Sequence, residues 1–231
     1  MFINPFQFRF PIGKPRQQSQ PDVDDRRNHA IIAQASYSDK PQRIVDEMRP
    51  GRYELLEEFS NSENSVFLDK RTDKVVFGIR GTDPRVFVDI EADSLLSIGL
   101  PALKTTGRYK RSRDNLERVI EKYGKDNITM ASHSLGAAIA SDLSNQYKVE
   151  SFGFNRGGTS QSFKYSKASK EDRAINHLYF TKPGSKGIDI LSIGTSGANQ
   201  TGNVIFLDQL DLPPAKKGLF APHSLGHFIY Q

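Results

Sequence analysis

The chain of 231 residues contains no cysteine and no tryptophan. Without thiols there is no disulfide, no thiolate metal site and no cysteine nucleophile, and the absence fits a reducing compartment. No apolar run approaches the roughly 20 residues that a membrane-spanning helix requires. The first ten residues, Met1 to Phe10, carry aromatics but no basic stretch followed by a continuous apolar core, so they do not read as a secretory signal. No Cys- or His-rich ligand spacing is present, and neither a metal nor a cofactor is expected. Histidine is scarce too. The search for a general base is confined to five residues: His29, His133, His177, His223 and His227.

The composition is 36% hydrophobic and 26% charged, and the length suits one α/β domain with a substantial core. The formal net charge of +5 favours anionic partners. Basic residues concentrate between Lys104 and Lys125, where Leu116, Val119, Ile120 and Tyr123 recur at helical spacing. Lys110, Arg111, Arg113, Arg118 and Lys122 then decorate the outer faces of an amphipathic helix, and a solvated face is the simplest reading. Docking to an anionic membrane surface is the second reading, and nucleic-acid binding is not expected.

Residues 1–24, rich in Pro, Gln, Phe and Arg, read as an extended arm ahead of a single domain over 25–231. Asn28 to Tyr37 suits a helix preceded by the acidic pair Asp24 and Asp25. Ser65–Asp69 and Lys74–Arg80 flank the polar turn Lys70–Asp73 and predict a hairpin. Strands are further expected before Ser132 and over Val149–Phe154, Ala174–Phe180 and Asn203–Leu207, the last at the far edge of the sheet. Strands alternating with helices imply an α/β fold, with a mostly parallel sheet and helices on both faces.

The most informative segment is Ser132-His133-Ser134-Leu135-Gly136. It follows the apolar run Asn127–Ala131 and opens the small-residue stretch Ala137–Ala140. Strand, sharp turn and helix with a serine at the apex is the context in which a G-x-S-x-G-type serine becomes a nucleophile. A serine hydroxyl needs a base, normally a histidine oriented by a carboxylate, in the chain order Ser, Asp, His for this architecture. Asp189, in the loop beyond the strand ending near residue 181, is the first choice of carboxylate, and Asp208 is the second. His29 and His177 sit inside predicted elements, and His133 adjoins the serine with its ring directed away from the hydroxyl. His223 and His227, in the terminal segment, remain as bases. Oxyanion donors are expected from the Leu135 N–H and from the Arg80-Gly81-Thr82-Asp83 loop after the preceding strand, with Thr82 adding its hydroxyl.

Val75 to Thr82, V-V-F-G-I-R-G-T, resembles the oxyanion segment of fungal-type class 3 lipases, which typically reads V-x-F-R-G-T. The pentad resembles the G-H-S-L-G of that family, and Ala33-Gln34-Ala35-Ser36-Tyr37 resembles the end of its first helix. The resemblance spans roughly residues 28–230. It implies an α/β-hydrolase-type domain with Ser134 as nucleophile, Asp189 as orienting acid, His223 as base, and Thr82 and Leu135 at the oxyanion. The closing His-Ser-Leu-x-x-Phe is also similar to lipase-like proteins of large DNA viruses, which favours His223 over His227. With no leader or membrane span in evidence, the resemblance favours an intracellular or virion-associated protein over a secreted one, and the compartment is left open. Ser132 departs from the first glycine of the motif. The family's tryptophan after the oxyanion loop is missing, with Phe87 or Val88 expected to fill its place. Ser94–Leu103, rich in aliphatics, is either a lid or a buried element of the core. The implied activity is hydrolysis of lipid esters through an acyl-enzyme. The alternative is a catalytically silent lipase-like scaffold that binds through its aromatic arm and basic helix.

Overall fold

The computed structural model describes residues 22–82, 100–157, 168–182, 201–210 and 224–231. Among the described residues seven strands form one sheet: β1 Tyr53–Leu55, β2 Asn64–Asp69, β3 Lys74–Ile79, β4 Ile128–His133, β5 Glu150–Phe154, β6 Asn176–Thr181 and β7 Asn203–Leu207. They lie side by side in chain order. β1, β2 and β3 pair antiparallel, and β2 meets β3 through the expected hairpin, with Asp73 at φ 56° in its turn. From β3 to β7 every pairing is parallel.

The helices are α1 Val23–Ala35, α2 Pro41–Met48, α3 Leu100–Leu103, α4 Gly107–Tyr123, α5 Leu135–Tyr147, α6 Lys170–Ala174 and α7 Gly226–Ile229. Right-handed crossovers between strands that advance in one direction place every connecting helix on the same side. Val75, Phe77, Ile79, Ile128 and Met130 accordingly pack with residues of α4 and α5 on one face. The residues between them point the other way, as the strand period demands. Val76, Ala131, Phe152, Phe154 and Tyr179 meet α1 and α7, which lie outside the crossover series. The sheet is therefore covered on both faces, as an α/β-hydrolase-type fold requires, and the run V-V-F-G-I of β3 is buried on both sides.

α1 begins at Val23, ahead of the start at Asn28 that the sequence suggests, because Asp22 caps it by accepting from Asp24 N (3.3 Å). Asp24 and Asp25 thus lie in its first turn. α4 opens on Thr106, whose hydroxyl accepts from Tyr109 N (3.1 Å), and ends at Gly124, held at φ 78°. Its basic outer face meets acids within the chain. Arg111 Nε donates to Glu63 (3.1 Å), Arg113 Nε to Asp114 (2.9 Å) and Lys122 to Glu58, while Arg118 lies over the Phe59 ring. Among the described residues no helix is long and apolar enough to cross a membrane.

At the amino-terminal end of the strands His29 is locked against the sheet. Its Nδ1–H donates to Asp25 O (2.6 Å), Thr129 Oγ1–H donates to its Nε2 (2.8 Å), and its ring stacks on Phe152 at 3.8 Å. A backbone carbonyl only accepts, so the proton of the neutral ring belongs on Nδ1. Burial pushes the imidazole down to about 4. The unfolded chain therefore takes up a proton between about pH 6.5 and 4 while the folded chain does not. This contribution to stability is complete above the unfolded value and is lost as pH falls through that window, by about 3 kcal/mol in all. Denaturant midpoints measured at pH 7 and pH 4.5 should show the loss, and His29→Leu should flatten the dependence in this interval.

Candidate active site

β4 ends at His133 and α5 begins at Leu135, leaving Ser134 to turn the corner at φ 55°, ψ −124°. That backbone suits the first central residue of a type II′ turn, where glycine is normal, and a residue with a Cβ held there stores about 1–3 kcal/mol. Strand and helix fix it through its own peptide groups. Ser134 N donates to Phe154 O at the end of β5 (3.1 Å), and Ser134 O accepts from Ala137 N and Gly157 N (3.0 Å each). A serine at a helix N-cap ordinarily accepts from the first turn of that helix. This one makes no such bond. Its half-buried hydroxyl is left for other work.

The close approach that makes the corner is visible at two glycines. A Cβ on Gly136 would lie 2.4 Å from Ile79 O and 2.6 Å from Arg80 O, so α5 touches the end of β3. A Cβ on Gly81 would lie 2.0 Å from Tyr37 Oη, 2.8 Å from His133 O and 3.0 Å from Ser134 Cβ. The Gly81–Thr82 loop therefore runs directly beside the serine. Its approach is anchored on both sides, since Arg80 N donates to Glu63 O (3.0 Å) and the fully buried Arg108 donates to Arg80 O. Leu135 N sits in the first turn of α5, where no intrahelical acceptor exists. Gly157 faces it, with 3.4 Å between Leu135 N and the place a Cβ would take.

Ser132, the departure from the usual glycine, is fully buried and in register with Gly153 of β5. Its hydroxyl donates to Phe152 O of that strand (3.4 Å), so the extra polar atom is paired where it is buried. His133 directs its Nδ1 to Tyr37 Oη (2.7 Å). That bond ties the residue before the serine to the end of the first helix.

Comparison with known proteins adds little. No family model and no curated protein matches this chain. Among solved structures, a fungal lipase bound to an inhibitor, described as a model for interfacial activation in lipases, matches with a TM-score of 0.46 and 11% identity. The match covers 69% of this chain and 70% of that one. So distant a likeness carries nothing about chemistry, which rests on the site itself.

Ser134, Leu135, Gly81 and Thr82 converge at the carboxyl ends of β3 and β4. Asp189 and His223 lie outside the described residues, as do Phe87, Val88 and 94–99 of the apolar segment. The end of that segment is α3, whose Leu103 is fully buried beside the core residues Tyr109, Leu135 and Ile139. Asp208 is exposed and pairs with Lys182 Nζ (2.9 Å). His227, on α7, is buried, and Leu210 N donates to its Nδ1 (2.9 Å). In the neutral ring the proton then belongs on Nε2.

Three contributors escape a reading of the sequence: Tyr37 as the partner of His133, Gly157 over Leu135 N, and Asn155. The last is fully buried at φ 40°, and its Oδ1 accepts from Thr181 N (3.1 Å), holding the turn that delivers Gly157. The segment Asn155-Arg156-Gly157 directly after a strand is the available signal. Burial pushes the Arg156 guanidinium down to about 9, so it still carries its charge at neutral pH.

Proposed function

We propose that this chain is a serine carboxylester hydrolase acting on lipid esters, with Ser134 as nucleophile, His223 as base and Asp189 as the carboxylate that orients it. The observation that carries the reading is the strained Ser134 elbow, with a hydroxyl that caps nothing and Gly81 packed against its side chain. Strain of this kind persists where the surroundings over-determine it, which is typical of nucleophile elbows. The lipid-ester part rests on the resemblance of the elbow and oxyanion segments to class 3 lipases. His223 is preferred because a base in this role needs its proton on Nδ1 and a lone pair on Nε2, the reverse of the neutral His227 tautomer.

In the reaction the Ser134 oxygen bonds to the ester carbonyl carbon while its proton passes to His223 Nε2. The carbonyl oxygen, now negative, is held by the Leu135 and Thr82 N–H groups. Collapse of the tetrahedral species breaks the bond to the alcohol oxygen, which leaves with the histidine proton and gives an acyl-serine. Water, deprotonated by the same histidine, then releases the acid and restores Ser134.

A fluorophosphonate probe tests the nucleophile directly, because only an activated serine displaces its fluoride. Stoichiometric labelling mapped to Ser134 is expected. A folded protein that takes up no label would instead be a lipase-shaped scaffold used for binding.

A further inference from the structure

β7 is the last strand of the sheet, and among the described residues it pairs with β6 alone. Four of its five residues, Val204, Ile205, Phe206 and Leu207, are apolar, yet none of the five is buried. In β6, next to it, all six residues are buried. Phe206 is 45% exposed although its ring lies 6.0 Å from that of buried Phe180. Val204 and Phe206 border the small cluster of Leu178 and Phe180, while Ile205 and Leu207 border the α1-side core. An apolar edge strand with backbone N–H and C=O groups turned outward is a template for another strand, and folded chains cover such edges. The opposite edge, β1, has only three residues and exposes Glu54, so it offers no comparable apolar row.

A segment that fits the β7 edge is present in the chain itself. Phe6-Gln7-Phe8-Arg9-Phe10 lies outside the described residues, ahead of α1. It alternates aromatic and polar residues at the strand period, so one face carries three phenylalanines and the other Gln7 and Arg9. Pro5 and Pro11 bracket it. Proline has no N–H for a ladder, so the segment offers five pairing residues, the length of β7. Its tether ends in the right place. Residues 11–21 lead to Asp22, the cap of α1, and one turn into that helix Arg26 Nη2 donates to Gln231 O (3.2 Å). The Gln231 side chain donates in turn to Asp208 O, directly after β7. The start of α1 is thus joined to the end of β7 through a single residue. A tether of this length spans up to about 35–40 Å when extended, about twice the length of a five-residue strand.

We propose that residues 6–10 add to β7 of their own chain as a further strand, with the three phenylalanines on the face of Val204 and Phe206. The aromatic row then extends the Leu178–Phe180 cluster, through the cross-strand pairs that stabilise sheets. Gln7 and Arg9 fall on the other face, where their stems cover Ile205 and Leu207 and their polar ends reach water. A strand tethered this closely is present at high effective concentration, so it closes the edge to a second copy of the chain. The interaction does not depend on the chemistry at Ser134.

The lack of tryptophan supplies the reporter. In the full-length Phe8→Trp protein the single indole is expected to emit at the short wavelength of a buried ring and to resist quenching by acrylamide. Adding Phe206→Asp, at an exposed position, should shift the emission to that of a solvated indole and raise quenching severalfold. Amide exchange gives a second reading with the domain left unaltered. Phe8→Pro removes a ladder donor from the arm and should lower the protection of the outward amides of β7 by about tenfold, with β4 unchanged. Solvent-like emission from Phe8→Trp, emission indifferent to Phe206→Asp, or β7 protection indifferent to Phe8→Pro would overturn the proposal. Emission that depends on protein concentration, together with a dimer mass in solution, would assign the edge to a second copy and overturn it as well.

Discussion

Ester turnover by the Ser134→Ala protein is expected to fall by a factor of about 10⁶, with the melting temperature almost unchanged. The hydroxyl caps no helix, so its removal breaks no bond that holds the elbow. Alanine retains the Cβ and with it the same strained backbone at φ 55°. Ser134→Gly separates strain from chemistry. Glycine adopts this conformation freely, so turnover should fall as far while stability rises by about 1 kcal/mol or more. Assays on a micellar octanoyl ester, paired with thermal unfolding, read both quantities. Near-full turnover in the alanine variant would remove Ser134 from the chemistry. A Ser134→Gly protein with no gain in stability would remove the strain from the argument.

The parts of the molecule legible in the sequence are those decided locally. Lys74–Ile79 and Ile128–His133 announce buried strands by continuous apolar runs, and Ser132–Gly136 announces the elbow because strand, corner and helix must all use small residues there. α2 is not legible in this way. Pro41 at its first turn and a polar body that buries Val45 alone are weak signals. What stays hidden depends on distant pairs. Tyr37 and His133 meet across 96 positions, and Arg111 finds Glu63 across 48, so a helix that reads as a bare basic face is largely neutralised by its neighbours. The same holds for His227. Nothing in Ala221–Phe228 tells that Leu210 N will take its Nδ1 and set the tautomer. Ser132 looks like a flaw in the motif until β5 supplies Phe152 O as the acceptor of its hydroxyl.

Gly136→Ala is expected to be the most damaging single methyl group in the described fold. Glycine-to-alanine inside a helix normally stabilises by up to about 1 kcal/mol, because alanine loses less conformational freedom. Here the added Cβ would stand 2.4 Å from Ile79 O and 2.6 Å from Arg80 O. Both obstacles are backbone atoms of the central sheet, anchored by the β3–β4 ladder and by Arg80 N on Glu63 O. Neither can swing aside as a side chain would, so α5 must lift away from β3. Overpacking of this order should cost about 3 kcal/mol and lower the melting temperature by roughly 6–12 °C. Because the lift also separates Leu135 N from the Gly81–Thr82 loop, fluorophosphonate labelling should slow even at temperatures where the variant remains folded. Gly51→Ala supplies the comparison. No atom lies within 4 Å of its Cβ position, and its φ of +68° alone predicts a loss of about 1 kcal/mol with labelling unaffected. A Gly136→Ala protein that melts at or above the wild-type temperature would mean that the helix does not rest on the end of β3, and that the oxyanion groups are not held where the chemistry needs them.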